Sequence, residues 1–402
     1  MVHTTRARAI LGTLMKFVPG AFRGEWAFAD PHDLSGRTKE DEMKELKFEL
    51  PVDPADIERV LTRYGIAGNV KDYRIGTAVT TFEIKVKAGT RLGTLEKYRE
   101  DLARDLQCPS LRIIKSVRDS SLIGIEVAND ERFTVYFKDL LEDMPRNMRL
   151  PVAMGEDTYG DNMYIDLTET PHMLVAGQTG SGKSVFLNTV IGSLLMTRTP
   201  DQVRFLIVDP KQVEFVAYEG VPHLERPIAS DPDEAMELLD YAVDEMDRRF
   251  ELLRNRRVKK LKDYNTRVPE RERLPYMVFI VDEFSDLMMS GTRKDSKVVE
   301  SKVVRIAQKA RAVGIHMILA TQKPLASVMT SLIKANMPAR AAFSVSSSVD
   351  SRVILDENGA EALTGKGDML YRDPNACSDY ERIRRVQAPW LSDADIDIIV
   401  GG

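Results

Sequence analysis

Two cysteines in 402 residues, Cys108 and Cys377, are too few and too far apart for a disulfide framework or a thiolate metal site, which favours a reducing compartment. Histidine is equally sparse. His3, His32, His172, His223 and His316 never fall within five residues of one another, which excludes a local imidazole metal motif. Long apolar runs are missing too: residues 9–22 are broken by Lys16, Pro19 and Gly20, and residues 185–196 carry Asn188, Thr189, Gly192 and Ser193. Neither reaches the roughly 20 residues of a spanning helix. Stable membrane insertion is therefore not expected, and the expected localisation is cytoplasmic. A charge excess of one sign is also absent, since 57 Lys and Arg face 62 acids for a formal −5, and that total does not advertise a polyanionic partner.

What is present divides in three. Residues 1–45 read as a basic N-terminal tail and linker, with Arg6, Arg8, Lys16 and Arg23 suited to weak docking on a membrane surface or a partner protein. Residues 46–154 read as a small α+β domain, with helical patterns over Pro54–Tyr64 and Leu92–Leu106. Its strand patterns fall over Val79–Val86, Leu111–Val117, Leu122–Val127 and Phe133–Phe137. From residue 155 to 402 the signature changes to buried apolar runs, each followed by a helix: His172–Ala176, Arg204–Asp209, Tyr276–Asp282, His316–Thr321 and Arg340–Val345. Helices are expected over Lys183–Met196, Pro232–Arg257, Lys297–Ala312 and Ser392–Val400. Near-continuous apolar strands separated by helices predict an α/β fold whose parallel sheet is covered on both faces.

The stretch from Gly177 to Ser184, GQTGSGKS, has the spacing of a phosphate-binding loop and sits after a strand and before a helix, where such a loop must sit. Its glycines allow backbone N–H groups to turn around phosphates, and the helix behind adds its positive dipole end. Gly177, Thr179, Gly180, Ser181, Gly182, Lys183, Ser184 and Val185 are the candidate ATP contacts, with Lys183 bridging the terminal phosphates and Ser184 ligating Mg²⁺. Asp282-Glu283 ends a second strand: Asp282 fits the other acidic partner of Mg²⁺, and Glu283 fits the base that polarises the attacking water. Gln322, at the end of a third strand, could reach the γ-phosphate or that water.

Longer stretches then resemble one family, the FtsK/SpoIIIE DNA translocases. They include PHMLVAGQTGSGKS (171–184), RFLIVDPK (204–211), VDEFSDLMM (281–289), AQKARAVGIHMILATQKP (307–324), LIKANMPARAAFSVSSSVDSRVILD (332–356) and GAEALTGKGDMLY (359–371). Residues 47–150 resemble the family's α subdomain. The resemblance implies a RecA-like P-loop NTPase sheet preceded by the small α+β domain, assembled as a homo-hexameric ring that moves along double-stranded DNA. It implies that Arg311 is a finger reaching the neighbour's nucleotide, that Lys334 is a second basic sensor acting across the same boundary, and that Gln322 is a γ-phosphate sensor. DNA contacts are implied for Lys323, Ser327, Thr330, Ser346, Ser347 and Arg352, which offer hydroxyls and charge to a sugar-phosphate backbone and no aromatic ring for stacking, with support of the nucleotide site as the alternative role for Arg352. Membrane helices and the sequence-reading winged-helix domain of cellular members have no counterpart here, so sequence-directed polarity is not expected. Ring ATPases for viral or conjugative DNA transfer, or for type VII-like protein secretion, are the alternatives.

Charge distribution agrees with the resemblance where net charge did not. Residues 301–352 hold eight Lys and Arg against one acid, Asp350, a local +7 that leaves −12 for the remainder. The cluster Arg254–Lys262, with six cations in nine residues, reads as a solvated helix end.

Overall fold

The computed structural model describes residues 29–34, 49–87, 89–108, 111–115, 121–377 and 382–401. The basic tail and most of the linker expected over residues 1–45 lie outside the described residues.

The smaller domain starts with α1 (Pro54–Arg63), which has proline at its first position and an Asp53 carboxylate that accepts the Ala55 N–H at 2.8 Å. Then follow β1 (Gly68–Ile75), β2 (Val79–Val86), α2 (Leu92–Lys97), α3 (Arg99–Asp105), β3 (Leu111–Lys115) and β4 (Ile123–Ala128). The strands pair antiparallel in the order β1-β2-β4-β3. Ile57, Phe82, Ile84, Leu95, Leu102 and Ile125 form the core between this sheet and its helices. The single helix expected over 92–106 is interrupted at Tyr98, whose backbone leaves helical geometry (φ −100°, ψ 7°) and caps both halves.

Phe133–Phe137 is not the expected strand. Residues 133–135 carry no regular structure, Tyr136 makes one isolated bridge to Trp390, and Phe137 opens α4 (Phe137–Glu142). The apolar run reflects burial of a crossing segment rather than pairing: Val135, Phe137 and Leu140 plug into the core of the larger domain beside Leu150 and Val152. A boundary at residue 154 would cut β5 (Pro151–Asp157), which pairs with β6 (Asn162–Asp166) inside the larger sheet.

The larger domain continues through β7 (His172–Ala176), α5 (Lys183–Leu195), β8 (Val203–Val208), α6 (Pro232–Asn255), α7 (Leu261–Arg267), β9 (Tyr276–Val281), α8 (Phe284–Met289) and α9 (Arg293–Lys309). It ends with β10 (Ile315–Thr321), α10 (Ser331–Asn336), β11 (Ala339–Phe343), α11 (Ser348–Leu355), β12 (Asp368–Arg372), β13 (Ile383–Gln387) and α12 (Asp393–Gly401). The described residues form a nine-stranded sheet in the order β6-β5-β13-β12-β11-β7-β10-β9-β8. Its β11-β7-β10-β9-β8 block is parallel and contains the five expected strands; β12, β13, β5 and β6 extend it antiparallel, so the sheet is mixed.

Period-two alternation sends side chains of one strand into two cores. In β10, Ile315, Met317 and Leu319 face α6, α8 and α9, whereas Ile318 and Ala320 face the core that holds α4, α5 and α12. The long α6 is fixed at its start by Asp231, which accepts the N–H groups of Asp233 and Glu234 at 2.9 Å. Near its end the buried Arg249 pairs with Glu245 at 2.7 Å and donates to the carbonyls of Pro275 and Val313, tying the helix to the amino ends of β9 and β10. The Arg254–Lys262 cluster stays solvated, with Arg254, Arg256, Arg257, Lys259, Lys260 and Lys262 all exposed.

Candidate active site

The phosphate loop joins β7 to α5 at the carboxyl edge of the parallel block, with β7 between β10 and β11. Crevices at that edge are where open α/β sheets bind ligands. A Cβ on Gly177 would lie 2.5 Å from Cβ of Phe343, and Gly182 caps α5 at φ 104°, so both positions require glycine. Among the described residues no side chain caps α5, which leaves its first N–H groups to a ligand. The Ser181 hydroxyl is buried with no hydrogen-bond partner among the described residues, as a group awaiting an acceptor would be. Ser184 and Val185 are half-buried on the first turn, and Thr179 donates to Oε1 of Gln322 at 2.9 Å, linking the loop to the end of β10.

Lys183 is buried, and its ammonium donates to Asp282 Oδ1 at 2.5 Å and to the Asp282 carbonyl at 3.1 Å. The other carboxylate oxygen, Oδ2, is buried and has no partner among the described residues. Glu283 receives the hydroxyl of Thr321 at 2.5 Å, that of Ser285 at 2.6 Å and the Gln322 N–H at 3.1 and 3.2 Å, with Lys211 Nζ 3.6 Å away. Burial alone would raise the Glu283 carboxyl, but these hydrogen bonds and the Lys183 charge bring it below its ordinary value. Neither Thr321 nor Ser285 was singled out from sequence. Asp209, of the DPK stretch, caps its own turn by accepting the N–H groups of Lys211, Val213, Glu214 and Phe215.

Arg311 and Lys334 lie elsewhere. Arg311 precedes β10 and Lys334 precedes β11, so both sit at the amino edge of strands parallel to β7, the edge opposite their own phosphate loop. Seven residues of β10 span roughly 20 Å. Arg311 pairs with Glu169 at 3.1 Å, both largely exposed. Lys334 pairs with Asp356 at 2.7 Å; Arg340 and Arg372 bind the same carboxylate. Burial would raise Asp356, yet these cations hold it well below the usual carboxylate range. Lys334, Arg340, Arg372 and Arg382 line a cavity of about 630 Å³ in which Asp373 is the one lining acid among the described residues.

Lys323 and Ser327 are exposed beyond β10. Thr330 accepts the Ile333 N–H as cap of α10 and donates to Glu300; Ser347 caps α11 by accepting the Asp350 N–H, and Ser346 also donates to Asp350. Arg352 donates to Asn358 at 2.8 Å. The basic window is not a bare strip, because Lys302, Arg305, Arg311, Lys334 and Arg340 are paired with Asp240, Asp247, Glu169 and Asp356 outside it.

A parallel block with a glycine-rich loop on β7, an acidic pair on β9 and β10 between them defines a RecA-like P-loop nucleoside-triphosphatase fold. Similar to it, with a TM-score of 0.61 and 24% identity over 87% of this chain and 98% of the other, is the pCW3 conjugation coupling protein TcpA, in a monomer form with ATPγS. Sequence narrows the class. The model of the FtsK/SpoIIIE family matches residues 138–326 and that of the FtsK alpha domain matches residues 31–129, and the chain belongs to the FtsK/SpoIIIE family. It is 45% identical over 356 residues to a DNA translocase FtsK of Streptococcus agalactiae, covering 86% of this chain and 42% of the relative. It is 42% identical over 371 residues to one of Haemophilus ducreyi, covering 85% of this chain and 38% of the relative. The chain thus spans about two fifths of the length of these curated relatives.

Proposed function

We propose that this chain is an ATP-driven motor that assembles as a homo-hexameric ring and translocates double-stranded DNA. The observation that carries this reading is the division of the hydrolytic groups between two edges of one sheet: Lys183, Asp282, Glu283 and Gln322 gather at the carboxyl edge, while Arg311 and Lys334 stand at the opposite edge. Side chains do not bridge that distance, so the two cations serve a neighbour's nucleotide and a closed ring supplies each site with both sets.

Within one site, Lys183 exchanges Asp282 for the terminal phosphates of ATP. The Oδ2 of Asp282, unpartnered among the described residues, and the Ser184 hydroxyl are hard oxygen donors that fit Mg²⁺, whose remaining ligands in such sites are phosphate oxygens and water. Among the described residues no group of three or more His, Cys, Asp or Glu could hold a metal, which matches a cation held largely by its substrate. When bound, Mg²⁺ supplies neutralisation of phosphate charge. Glu283 orients and polarises the attacking water, Gln322 reads the γ-phosphate, and the neighbour's Arg311 and Lys334 stabilise the charge that develops. Lys323, Ser327, Ser346 and Arg352, with Thr330 and Ser347 at helix starts, offer the DNA backbone sequence-independent contacts.

Steady-state ATPase measured with and without long duplex DNA tests the reading. Stimulation by duplex that weakens steeply with added salt is expected; an unchanged rate at any DNA concentration sinks the translocase assignment.

A further inference from the structure

The segment between α11 and β12 lies between the phosphate loop and the smaller domain. On the loop side, the Gly367 N–H donates to the Ser181 carbonyl at 2.8 Å. A Cβ on Gly182 would come within 2.4 Å of Gly367 N, and both glycines have positive φ, 104° and 94°. There is no slack at this contact: a shift of the loop backbone must move Gly367. On the other side, Arg99 reaches Glu361 at 3.4 Å and Arg132 reaches the Thr364 carbonyl at 3.3 Å.

The residue after Gly367 is Asp368. Its carboxylate takes Nε and a terminal nitrogen of Arg385 at 2.9 and 2.7 Å, together with the N–H and hydroxyl of Thr364. The remaining guanidinium nitrogen of Arg385 donates to Glu126 of β4 at 2.9 Å, and Arg112 approaches that carboxylate at 3.4 Å. Asp368 and Glu126 are each about 2% exposed or less, and Arg385 is 6% exposed. Buried ion pairs are poor stabilisers, because apolar residues of similar volume do as well, whereas removing one partner strands a charge. What such a group provides is fixed geometry: a two-pronged arginine leaves the carboxylate one orientation.

We propose that the relay Asp368–Arg385–Glu126 couples occupancy of the phosphate loop to the seating of the smaller domain, with Asp368 and Arg385 as positioning residues and β4 as the receiving element. The proposal rests on the reading of the loop as a nucleotide site. Phosphates entering the loop re-orient the backbone around Ser181 and Gly182, Gly367 follows through its hydrogen bond, and the paired charges carry the displacement to Glu126. An ADP-like and an ATP-like loop would then hold the smaller domain with different strength.

Amide hydrogen exchange on the full chain, with and without ATPγS and Mg²⁺, tests this, with analogue binding measured separately by equilibrium dialysis. In the wild type the analogue should slow exchange across Ile123–Ala128 by roughly fivefold or more. Glu126→Gln, which keeps shape and removes charge, should bind the analogue but lose that slowing; Arg385→Lys serves if Glu126→Gln does not fold. Slowing confined to 177–184 and 359–368 in the wild type, or retained in folded Glu126→Gln, overturns the coupling while the nucleotide reading stands. Absence of analogue binding by the wild type overturns both.

Discussion

Thr321 donates its hydroxyl to Oε1 of Glu283 at 2.5 Å, and the N–H of the next residue, Gln322, reaches both oxygens of the same carboxylate. The group read as the hydrolytic base is thus held by the last residue of β10 and the first of the loop read as a DNA contact. With a third bond from Ser285, Glu283 is a weaker base than a free carboxylate and points at protein rather than at water. A hydrogen bond to a charged group contributes about 1.5–3 kcal/mol. Thr321→Val, which keeps the β-branched shape, should raise the DNA-free ATPase rate by roughly tenfold to a hundredfold and shrink stimulation by duplex. A lowered rate with an unchanged stimulation ratio would make Thr321 a support for the base rather than a restraint on it.

On the proposed reading, Lys183 and Glu283 separate binding from chemistry. Lys183→Ala removes the ammonium that meets the phosphates and leaves Asp282 buried without its cation, so nucleotide binding should be lost. Glu283→Gln keeps the hydrogen-bonding shape and removes the base; binding should persist while turnover falls by about 10²–10⁴-fold. Equilibrium binding of a fluorescent ATP analogue beside phosphate release distinguishes the two, and normal turnover by Glu283→Gln would remove it from the base role.

The parts of this site that were legible in sequence are those built locally. GQTGSGKS is one strand, one turn and one helix start, and Asp282-Glu283 simply follows an apolar run, so spacing alone places both at a sheet edge. Thr321 was invisible because a β-branched residue at the end of a strand satisfies strand propensity without further cause. The Asp368–Arg385–Glu126 relay was invisible for another reason: Arg385 and Glu126 are 259 positions apart, and β13, reading IRRVQ, hides as a strand because the burial of Arg385 depends on partners that no window contains. The same long-range pairing explains the antiparallel half of the larger sheet, whereas the five parallel strands announce themselves as apolar runs.

Arg311 cannot serve its own phosphate loop from the far edge of β10, so its loss should impair hydrolysis without impairing binding. Arg311→Ala should bind ATP with near-normal affinity and turn over roughly 10³-fold more slowly. Mixed with Lys183→Ala, it should recover part of the activity, because intact loops of the first then face intact fingers of the second. The mixture is assayed across input ratios; activity that never exceeds the sum of the two separate preparations would argue for a structural role through Glu169.

Three buried histidines fix the acid side of the stability profile. Burial, with the charges of His316 and Arg311 adding to it, lowers His172 to about 3; burial lowers His316 to about 4; burial lowers His223 to about 4. Imidazoles in an unfolded chain titrate near 6.5. Below that pH the unfolded chain binds protons that the folded chain refuses, so these groups leave stability intact above about pH 7 and remove it as pH falls from 6.5 towards 4. Three such sites give a limiting slope of about 4 kcal/mol per pH unit. Carboxylates titrate mostly below this window, so urea unfolding between pH 7.5 and 5.5 isolates the imidazole contribution. His316→Leu should reduce the slope by about one third, one proton of three; an unchanged slope would mean that His316 already takes up its proton in the folded protein.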